Sequence, residues 1–324
     1  MAQFEGGASN FLVGTSGQTN VFFMPEVYSK KVQNFFRKSS VVEAITNTDY
    51  TGDIASFGDT VNIIKEPTIT TYDYTRGADT TKTVLTDQEL TLIVDQARAF
   101  KFIVDDIETR MSHVNFKEVA ASSAAYALKD QMDSNVLAYM AAQFTTANGS
   151  TEVGKDDATA GTLAQADAAT ESVNINPLTT DHSDPLDVLA RAARILDDGN
   201  VPEEGRWFVA KPEFYEILSQ SASKLMSVDY NGGQGSLRNG LVTSGLLRGF
   251  SMYKSNNMPA GSNAEIALAG HMSAVATAGT LLKTETVRDP SSFGDICRGL
   301  HVYGRKVLRN PAGVKIFWNT TTDA

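Results

Sequence analysis

The stretch DTVNIIKEPTITTYDYTRGADTTKTVLTDQELTLIVDQARAFKFIVDD, residues 59–106, indicates two extended arms around a polar tip at Thr75–Asp79. β-Branched and aromatic residues, which favour strands, are frequent in both arms. At about 3.3 Å per residue the returning arm could span roughly 70 Å, far more than an ordinary strand. Because an isolated two-stranded ribbon is only marginally stable in water, we expect this ribbon to lie on a second copy of the chain.

Length and composition are those of a globular protein. The chain has 324 residues, 42% hydrophobic and 20% charged, which suits about two domains and argues against global disorder. Its single cysteine, Cys297, excludes an internal disulfide and fits a reducing compartment. The first residues lack a signal-peptide pattern, and residues 266–282 are too weakly apolar for a membrane span. We therefore expect synthesis in the cytoplasm and no membrane partner.

Negative charge is concentrated in one part of the chain. Residues 150–204 contain 12 acidic and three basic residues, whereas the remainder is nearly neutral and the whole chain carries a net charge of −10. No basic stripe of the kind that neutralises nucleic-acid phosphates is present. Any contact with nucleic acid is therefore predicted to be weak and independent of base sequence.

The N-terminal third divides into three regions before the first long helix. Residues 1–24 are rich in Gly, Ser, Thr and Asn with scattered phenylalanines, which suits an extended arm. Pro25 opens a helical stretch that continues to Ile45, within a helix region at 25–57. The extended β-hairpin loop then occupies residues 58–106.

The longest helix is predicted over residues 115–144, where apolar side chains recur every four residues. With a rise of 1.5 Å per residue, this helix would be a rod about 45 Å long. Residues 145–180 follow, rich in Thr, Ala, Gly and Asp, and are predicted to form a loop.

Helices and strands alternate in the next part of the chain. An N-cap and proline at Asp184-Pro185 start a predicted helix that runs to Leu196. Residues 206–210 indicate a buried strand, and residues 212–220 indicate a helix. Together with the short strands that follow, this pattern indicates an α/β unit with helices on a central sheet.

Extended segments return near the C-terminal end of the sequence, at 283–290, 300–308 and 314–318. Because these segments lack a sequential partner of their own, we expect them to pack on the long helix. The predicted class is α+β, with one domain made of residues 107–149 and 283–324 and a second domain, 150–282, inserted into it.

Two patterns suggest ligand binding, and both have a simpler interpretation. Residues 235–242 mimic half of a phosphate-binding loop but lack its lysine and its Ser or Thr. The four histidines stand far apart in sequence and form no spaced pair of metal ligands. We expect no cofactor and no metal.

Two further patterns suggest catalysis. The acids Asp105 and Asp106 could act together or bind Mg²⁺, but their place before the long helix favours helix capping. Cys297 and His301 are a weak nucleophile–base pair with no third residue to orient them, and a structural cysteine is favoured. We expect no catalytic site.

The order of these parts resembles the major capsid protein of tailed bacteriophages, which has the HK-97-type coat fold. Residues 249–259 are similar to a strand and loop of that family's inserted domain, and residues 283–304 are similar to its C-terminal return. The resemblance implies that the hairpin is an extended loop lying over a neighbouring subunit. It also implies that residues 107–149 with 283–324 form the peripheral domain, and that residues 150–282 form the axial domain.

The resemblance implies a set of partners. Homo-hexamers and homo-pentamers would build an icosahedral or prolate phage head around double-stranded DNA, with a portal and a decoration protein. Some relatives carry a long cleavable segment before the arm, whereas here Pro25 already opens a helix. We therefore expect a separate scaffolding protein, or assembly that needs none. The mature protein would be in the virion capsid.

The N-terminal arm and the hairpin tip supply the candidate contacts between subunits, since they are least able to form a core of their own. The candidate residues are Phe11, Phe22, Phe23, Tyr72, Tyr74, Arg76, Asp79 and Lys82. Some relatives also join subunits through a Lys–Asn isopeptide bond assisted by a glutamate. Lys82, Asn310 or Asn319, and Glu285 supply these residue types, but their spacing does not select them.

Three alternatives remain at this stage. The same fold serves in encapsulin-type compartments, which hold a cargo enzyme instead of a genome. The chain could also be a cytoplasmic α/β enzyme whose site is not recognisable, or another part of a virion such as a tail-tube subunit. Particle shape and particle contents would separate these possibilities.

Overall fold

The protein is described here by a computed structural model. The described residues are 38, 40–50, 60–67, 69, 71, 73, 76–77, 88–106, 116–155, 163–165, 172–175, 183–219, 247–260, 264–291 and 293–320. The α-helices within them are α1 (Val42–Ile45), α2 (Phe116–Gln143), α3 (Pro185–Asp198) and α4 (Pro212–Leu218). Short 3₁₀ helices span Thr146–Asn148, Met272–Ala274 and Asn310–Ala312. No helix in this part of the chain is long and apolar enough to cross a membrane.

Twelve strands form three sheets within the described residues. The first eight are β1 (Thr60–Lys65), β2 (Gln88–Ile93), β3 (Gln96–Asp105), β4 (Thr151–Lys155), β5 (Leu163–Gln165), β6 (Val173–Asn174), β7 (Arg206–Ala210) and β8 (Ser251–Lys254). The other four are β9 (Glu265–His271), β10 (Val275–Arg288), β11 (Gly294–Val307) and β12 (Gly313–Asn319).

The seven-stranded sheet has the order β5-β4-β12-β9-β7-β8, with β6 also paired to β12. Strand β12 runs parallel to β4 and antiparallel to β9, so it lies in the middle of the sheet. The side chains of Val314, Ile316 and Trp318 join the core that contains α3 and α4. Phe317 joins the opposite core, which contains the end of α2. The sheet is therefore covered on both faces.

The position of β12 corrects the predicted domain division. Residues 314–318 were assigned to a domain at 283–324 that packs on the long helix, but they lie at the centre of the larger sheet, and among them only Phe317 joins the core at the end of α2. The physical reason is that side chains on both faces of this segment are buried, with Lys315 paired to Glu152, as a central strand covered on both sides requires. The predicted loop at 145–180 is also wrong in part, since its described residues include strands β4, β5 and β6.

The smaller sheet has three antiparallel strands in the order β10-β11-β3. Strand β10 runs from Val275 to Arg288, so the predicted boundary between residues 282 and 283 falls inside a strand. The returning arm of the predicted hairpin is not one strand either. Its first part, β2, pairs with β1, and its second part, β3, pairs with β11. The chain changes partner at Val94 and Asp95, a long-range pairing that local sequence does not encode.

Helix α2 matches the predicted long helix to within one residue at each end. Its buried side chains lie in its second half and include Val136, Leu137 and Met140. From residue 117 to residue 132 no side chain of α2 is buried. The first half of this helix is thus covered much less by its own chain than the second half.

Asp133, which is buried on α2, connects the segment before the ribbon to the rest of the molecule. Its carboxylate accepts hydrogen bonds from the backbone N–H groups of Val41 and Val42 at 2.8 and 3.0 Å. It also accepts from the Ser40 hydroxyl at 3.1 Å and from the Asn257 amide at 3.1 Å. One side chain therefore satisfies the free N–H groups at the start of α1 and anchors a loop of the larger sheet.

Candidate inter-subunit surface

Of the eight predicted contact residues, only Arg76 lies among the described residues. It is exposed, and it forms a turn with Gly77, whose φ of 85° is a conformation that glycine adopts without strain. This turn lies at the predicted tip of the hairpin. The other seven candidates are outside the described residues; they are Phe11, Phe22, Phe23, Tyr72, Tyr74, Asp79 and Lys82.

The base of the ribbon packs on its own chain through one face. In the register of β1 and β2, Val61 is opposite Leu92 and Ile63 is opposite Leu90. Leu92 is completely buried in a small core with residues of the three-stranded sheet, including Val302. Side chains two residues apart share a face of a strand, so the inner face of the ribbon base is apolar throughout.

The ribbon base crosses the three-stranded sheet at very short range. A Cβ atom placed on Gly304 of β11 would lie 2.6 Å from the carbonyl oxygen of Ile93 and 3.1 Å from Cα of Val94. Only glycine allows two backbones to approach this closely. The direction in which the ribbon leaves the body is therefore fixed at this crossing.

The outer face of the ribbon base and the segment beyond it present apolar side chains to solvent. Ile64 is 81% exposed and Ile69 is 67% exposed. Every described residue between Lys65 and Gln88 is exposed except Pro67, which is partly buried. Beyond its base, the described part of the ribbon is therefore largely uncovered by its own chain.

A second apolar surface lies on the three-stranded sheet. In the register of the three strands, Val287 is opposite Ile296, and Ile296 is opposite Ile103. They share a face with Val302, which packs under the ribbon base, and not with Tyr303, which packs near α2. Val287 is 42% exposed and Ile103 is 52% exposed. We call these three residues the apolar row.

Charged residues surround this end of the sheet. Arg288 on β10 donates two hydrogen bonds to the Asp106 carboxylate, one of them at 2.8 Å, and a weaker one to Asp295 at 3.4 Å. Hydrogen bonding to Asp106 raises the pKa of the Arg288 guanidinium above its usual value. Arg298 pairs with Glu285 across β10 and β11. Asp106 thus ties the end of β3 to β10, a contact that the capping interpretation of this acid did not foresee.

The weak catalytic and crosslinking patterns gain no support from the geometry. The thiol of Cys297 is buried and lies 3.6 Å from the Thr286 hydroxyl, and burial lowers the pKa of His301. Among the described residues, no group of three or more His, Cys, Asp or Glu side chains could hold a metal ion. Asn319 ends β12 in the other sheet, where its amide donates to Ser172 at 2.7 Å, so it is not placed beside Glu285.

The sequence interpretation missed the exposed apolar residues of the three-stranded sheet. The apolar row only becomes visible once the register of β3, β10 and β11 is known. Phe293, between β10 and β11, is 80% exposed and was also missed. The sequence does contain a signal for it. Phe293 lies in a polar turn, DPSSFGD, which has no other large apolar side chain for it to pack against.

The long helix, the ribbon and the inserted sheet place this chain in a class of structural proteins, the shell proteins with the HK-97-type coat fold. A chain from Mycobacterium phage Che8 is similar at 29% identity, over 91% of this chain and 97% of that chain, with a TM-score of 0.72. A chain from the capsid of Cyanophage P-SCSP1u is 22% identical over 99% and 100% of the two chains, with a TM-score of 0.74. A chain from the mature capsid of bacteriophage PhiM1 is 16% identical over 96% of each chain, with a TM-score of 0.65.

The family is established by the sequence itself. Residues 69–288 match the family described as Gp10A-like major capsid protein, and the chain belongs to this family. No curated protein matches it. The chain is thus a major capsid protein, a structural component of a phage shell and not an enzyme, and it associates with copies of itself.

Proposed function

We propose that the chain assembles into hexamers and pentamers that close an icosahedral or prolate phage head around double-stranded DNA. The observation that supports this most directly is the exposure of Ile64 and Ile69 on a ribbon whose base is firmly packed. Burying one isoleucine side chain contributes about 1.5–3 kcal/mol, so uncovered isoleucines on a fixed ribbon favour association. Since every subunit carries both, the contact repeats around a ring.

The mechanism that we propose is completion of each subunit by its neighbours. The ribbon of one copy lies over the peripheral part of the next, and the N-terminal arm follows the same course. Apolar and main-chain groups that have no cover in the isolated chain become buried in the shell. Phe11, Phe22, Phe23, Tyr72, Tyr74, Asp79 and Lys82, together with Arg76, remain the proposed contacts of these segments.

The negative charge of the chain supports a shell that binds its packaged DNA only weakly. A net charge of −10 disfavours binding to a polyanion, and basic side chains are not gathered into a stripe. Packaged DNA would therefore remain free to move against the inner surface. Strong, salt-sensitive binding of DNA by unassembled subunits would contradict this part of the proposal.

The remaining partners follow from the role of a shell protein. We propose synthesis in the cytoplasm of the host bacterium and assembly with a portal, a decoration protein and a separate scaffolding protein. Particle contents distinguish this function from that of an encapsulin-type compartment. Nuclease-protected DNA inside the particles supports a virus head, and a protein cargo without DNA would contradict it.

The role of the ribbon is tested by deleting residues 71–83. We expect folded subunits that fail to close shells, because the tip can no longer reach a neighbour. Size-exclusion chromatography and negative-stain microscopy measure assembly, and circular dichroism measures folding. A matched variant replaces the same 13 residues with a Gly/Ser linker of equal length, which keeps the reach of the chain but removes its side chains.

Comparing the two variants shows whether assembly requires the length of the ribbon or the side chains at its tip. If both fail to assemble, the side chains of the tip are required. If only the deletion fails, length alone matters and the proposed aromatic contacts are wrong. Normal closed particles from the deletion variant would refute the role of the ribbon altogether.

A further inference from the structure

Phe293 is an apolar side chain held outside the body on a fixed turn. It is 80% exposed, yet its carbonyl oxygen accepts a hydrogen bond from the Asp106 N–H at 3.0 Å. The Asp289 N–H donates to the Gly294 carbonyl at 3.0 Å, and the Asp289 carboxylate accepts from the Ser291 N–H and hydroxyl at 3.0 and 2.7 Å. Because these hydrogen bonds hold described residues on both sides of Phe293, little further ordering of their backbone is needed when the ring binds a partner.

A cavity that suits an aromatic ring lies at the other end of the same sheet. Its volume is about 510 Å³, within the usual range of ligand pockets. Six described segments line it: β2, the end of β11, the 3₁₀ helices at 272–274 and 310–312, and the loops that follow α2 and α3. Among its described lining residues, Leu90, Val201, Pro202, Val307, Leu308 and Pro311 supply the larger apolar side chains.

The ring and the cavity cannot meet within one molecule. They lie at opposite ends of β11, whose 14 residues span roughly 45 Å at about 3.3 Å per residue. A contact between them therefore joins two copies of the chain in a head-to-tail manner. Contacts of this type generate closed rings when the rotation between neighbours closes.

Charge favours this pairing over a contact between two identical turns. The turn carries Asp289 and Asp295 close to Asp106, and two cations face these three acids. Arg288 pairs with Asp106 and Asp295, and Lys117 on α2 lies 3.9 Å from Asp295, so the group keeps a net negative charge. Two such turns placed together would repel each other. At the cavity, Arg309 is exposed and is the one charged side chain among the described lining residues. None of the described acids forms an ion pair with it.

We propose that Phe293 of one subunit inserts into this cavity of the adjacent subunit, with Arg309 facing the acidic turn. This contact rests on the proposed shell function, but it is separate from the ribbon. It makes the β10–β11 turn a second connection between neighbours. It also gives the cavity, which is open in the isolated chain, a specific occupant: the aromatic ring of Phe293.

Crosslinking with engineered cysteines tests the pairing directly. In a Cys297→Ala background, one variant carries Phe293→Cys and a second carries Asn148→Cys at the cavity. Particles assembled from a mixture of the two are treated with a short bis-maleimide reagent. We expect crosslinked dimers that contain one subunit of each type, at least ten times more abundant than dimers of either variant alone. A chain carrying both cysteines should give a ladder of covalent oligomers.

A matched pair controls for random collisions, and microscopy gives a second measurement. Glu216→Cys, exposed on α4, replaces Asn148→Cys and should give no crosslink with Phe293→Cys. Dimers formed by the Phe293→Cys variant alone would show that the turns meet each other, which overturns the proposal. Intact particles without mixed dimers overturn it while leaving the shell function standing.

If the cysteine variants do not assemble, cryo-electron microscopy of unmodified particles tests the pairing of Phe293 with the cavity. Density for the Phe293 ring inside the neighbour's cavity confirms the pairing, and density elsewhere refutes it. An absence of particles from the unmodified chain contradicts the shell function itself, a separate outcome.

Discussion

The two main sheets of this molecule differ in how completely one chain covers them. In the seven-stranded sheet all five residues of β7 are buried, as are six of the seven residues of β12. In the three-stranded sheet a single residue of β3, Val104, is buried among ten. The larger sheet is therefore covered within its own chain, whereas the smaller one leaves much of its edge strand β3 exposed to solvent.

Ion pairs in the two sheets show the same contrast. Lys315 and Glu152 are opposite each other on β12 and β4, nearly buried, with their charged groups 2.5 Å apart. The pairs of Arg288 at the edge of the smaller sheet are half exposed. A buried pair depends on both partners being present, while an exposed pair adds little to stability.

The largest expected effect is that of removing a core side chain from the larger sheet. Trp318 is completely buried and packs edge-on against Phe214, with ring centroids 5.5 Å apart. Trp318→Ala should lower the free energy of unfolding by about 3–5 kcal/mol, as large cavities in a core do. Urea unfolding of unassembled subunits measures it. Phe293→Ala, which removes an exposed ring, serves as the control and should change stability by less than about 0.5 kcal/mol.

A change of intermediate size is expected at the buried ion pair. Burial alone would raise the pKa of Glu152, but hydrogen bonds from Lys315 and Thr146 outweigh it and hold that pKa below its ordinary value. Because the folded pKa is lowered, the pair stabilises the fold above the ordinary carboxyl pKa and loses this contribution as the pH falls through the folded value. Glu152→Gln should therefore lower stability by about 1–3 kcal/mol at pH 7.

Acid titration sharpens this test. The difference between Glu152→Gln and the unmodified chain should shrink as the pH falls below 4.5, the ordinary carboxyl value. Urea midpoints measured from pH 3 to pH 7 follow it. Asp106→Asn makes the same chemical change at the exposed pair and should lower stability at pH 7 by much less than Glu152→Gln does, because exposed pairs add little. A constant difference for Glu152→Gln would mean that packing, and not charge, explains its effect.

The smallest effect on stability is expected at the apolar row. Ile103→Thr with Val287→Thr keeps β-branched side chains in both strands but removes apolar surface that solvent already reaches. Stability of the unassembled subunit should change by less than about 0.5 kcal/mol per site. Assembly yield, measured by light scattering, should nevertheless fall. Unchanged assembly would show that the row is not covered in the shell.

Local signals in the sequence were sufficient for three of the four described helices. The exception is the helix predicted from Pro25 to Ile45, because among its described residues only α1, Val42–Ile45, is helical, while residues 38, 40 and 41 are not. The four-residue spacing of apolar side chains predicted α2 to within one residue at each end, and Asp184-Pro185 predicted the start of α3. The Asp184 carboxylate does accept a hydrogen bond from the Leu186 N–H at 3.0 Å. These features depend on interactions within a few residues, so they can be read along the chain.

Strand partners could not be predicted in the same way. The mostly apolar stretch at 314–318, interrupted only by Lys315, is typical of a central strand, but nothing local shows that it lies between β4 and β9. The change of partner between β2 and β3 is equally invisible. The apolar row was missed for this reason, since its three residues come from strands nearly 200 positions apart in the chain.

The central position of β12 has a consequence for how the protein is made. Every other strand of the seven-stranded sheet precedes β12 in the chain, so a gap remains between β4 and β9 until residue 319 has left the ribosome. During synthesis the edges of β4 and β9 stay unpaired until β12 is made, and unpaired strand edges favour binding to chaperones. A polypeptide released before residue 313 would lack the middle strand of this sheet, so we expect truncated chains to be unable to join a shell.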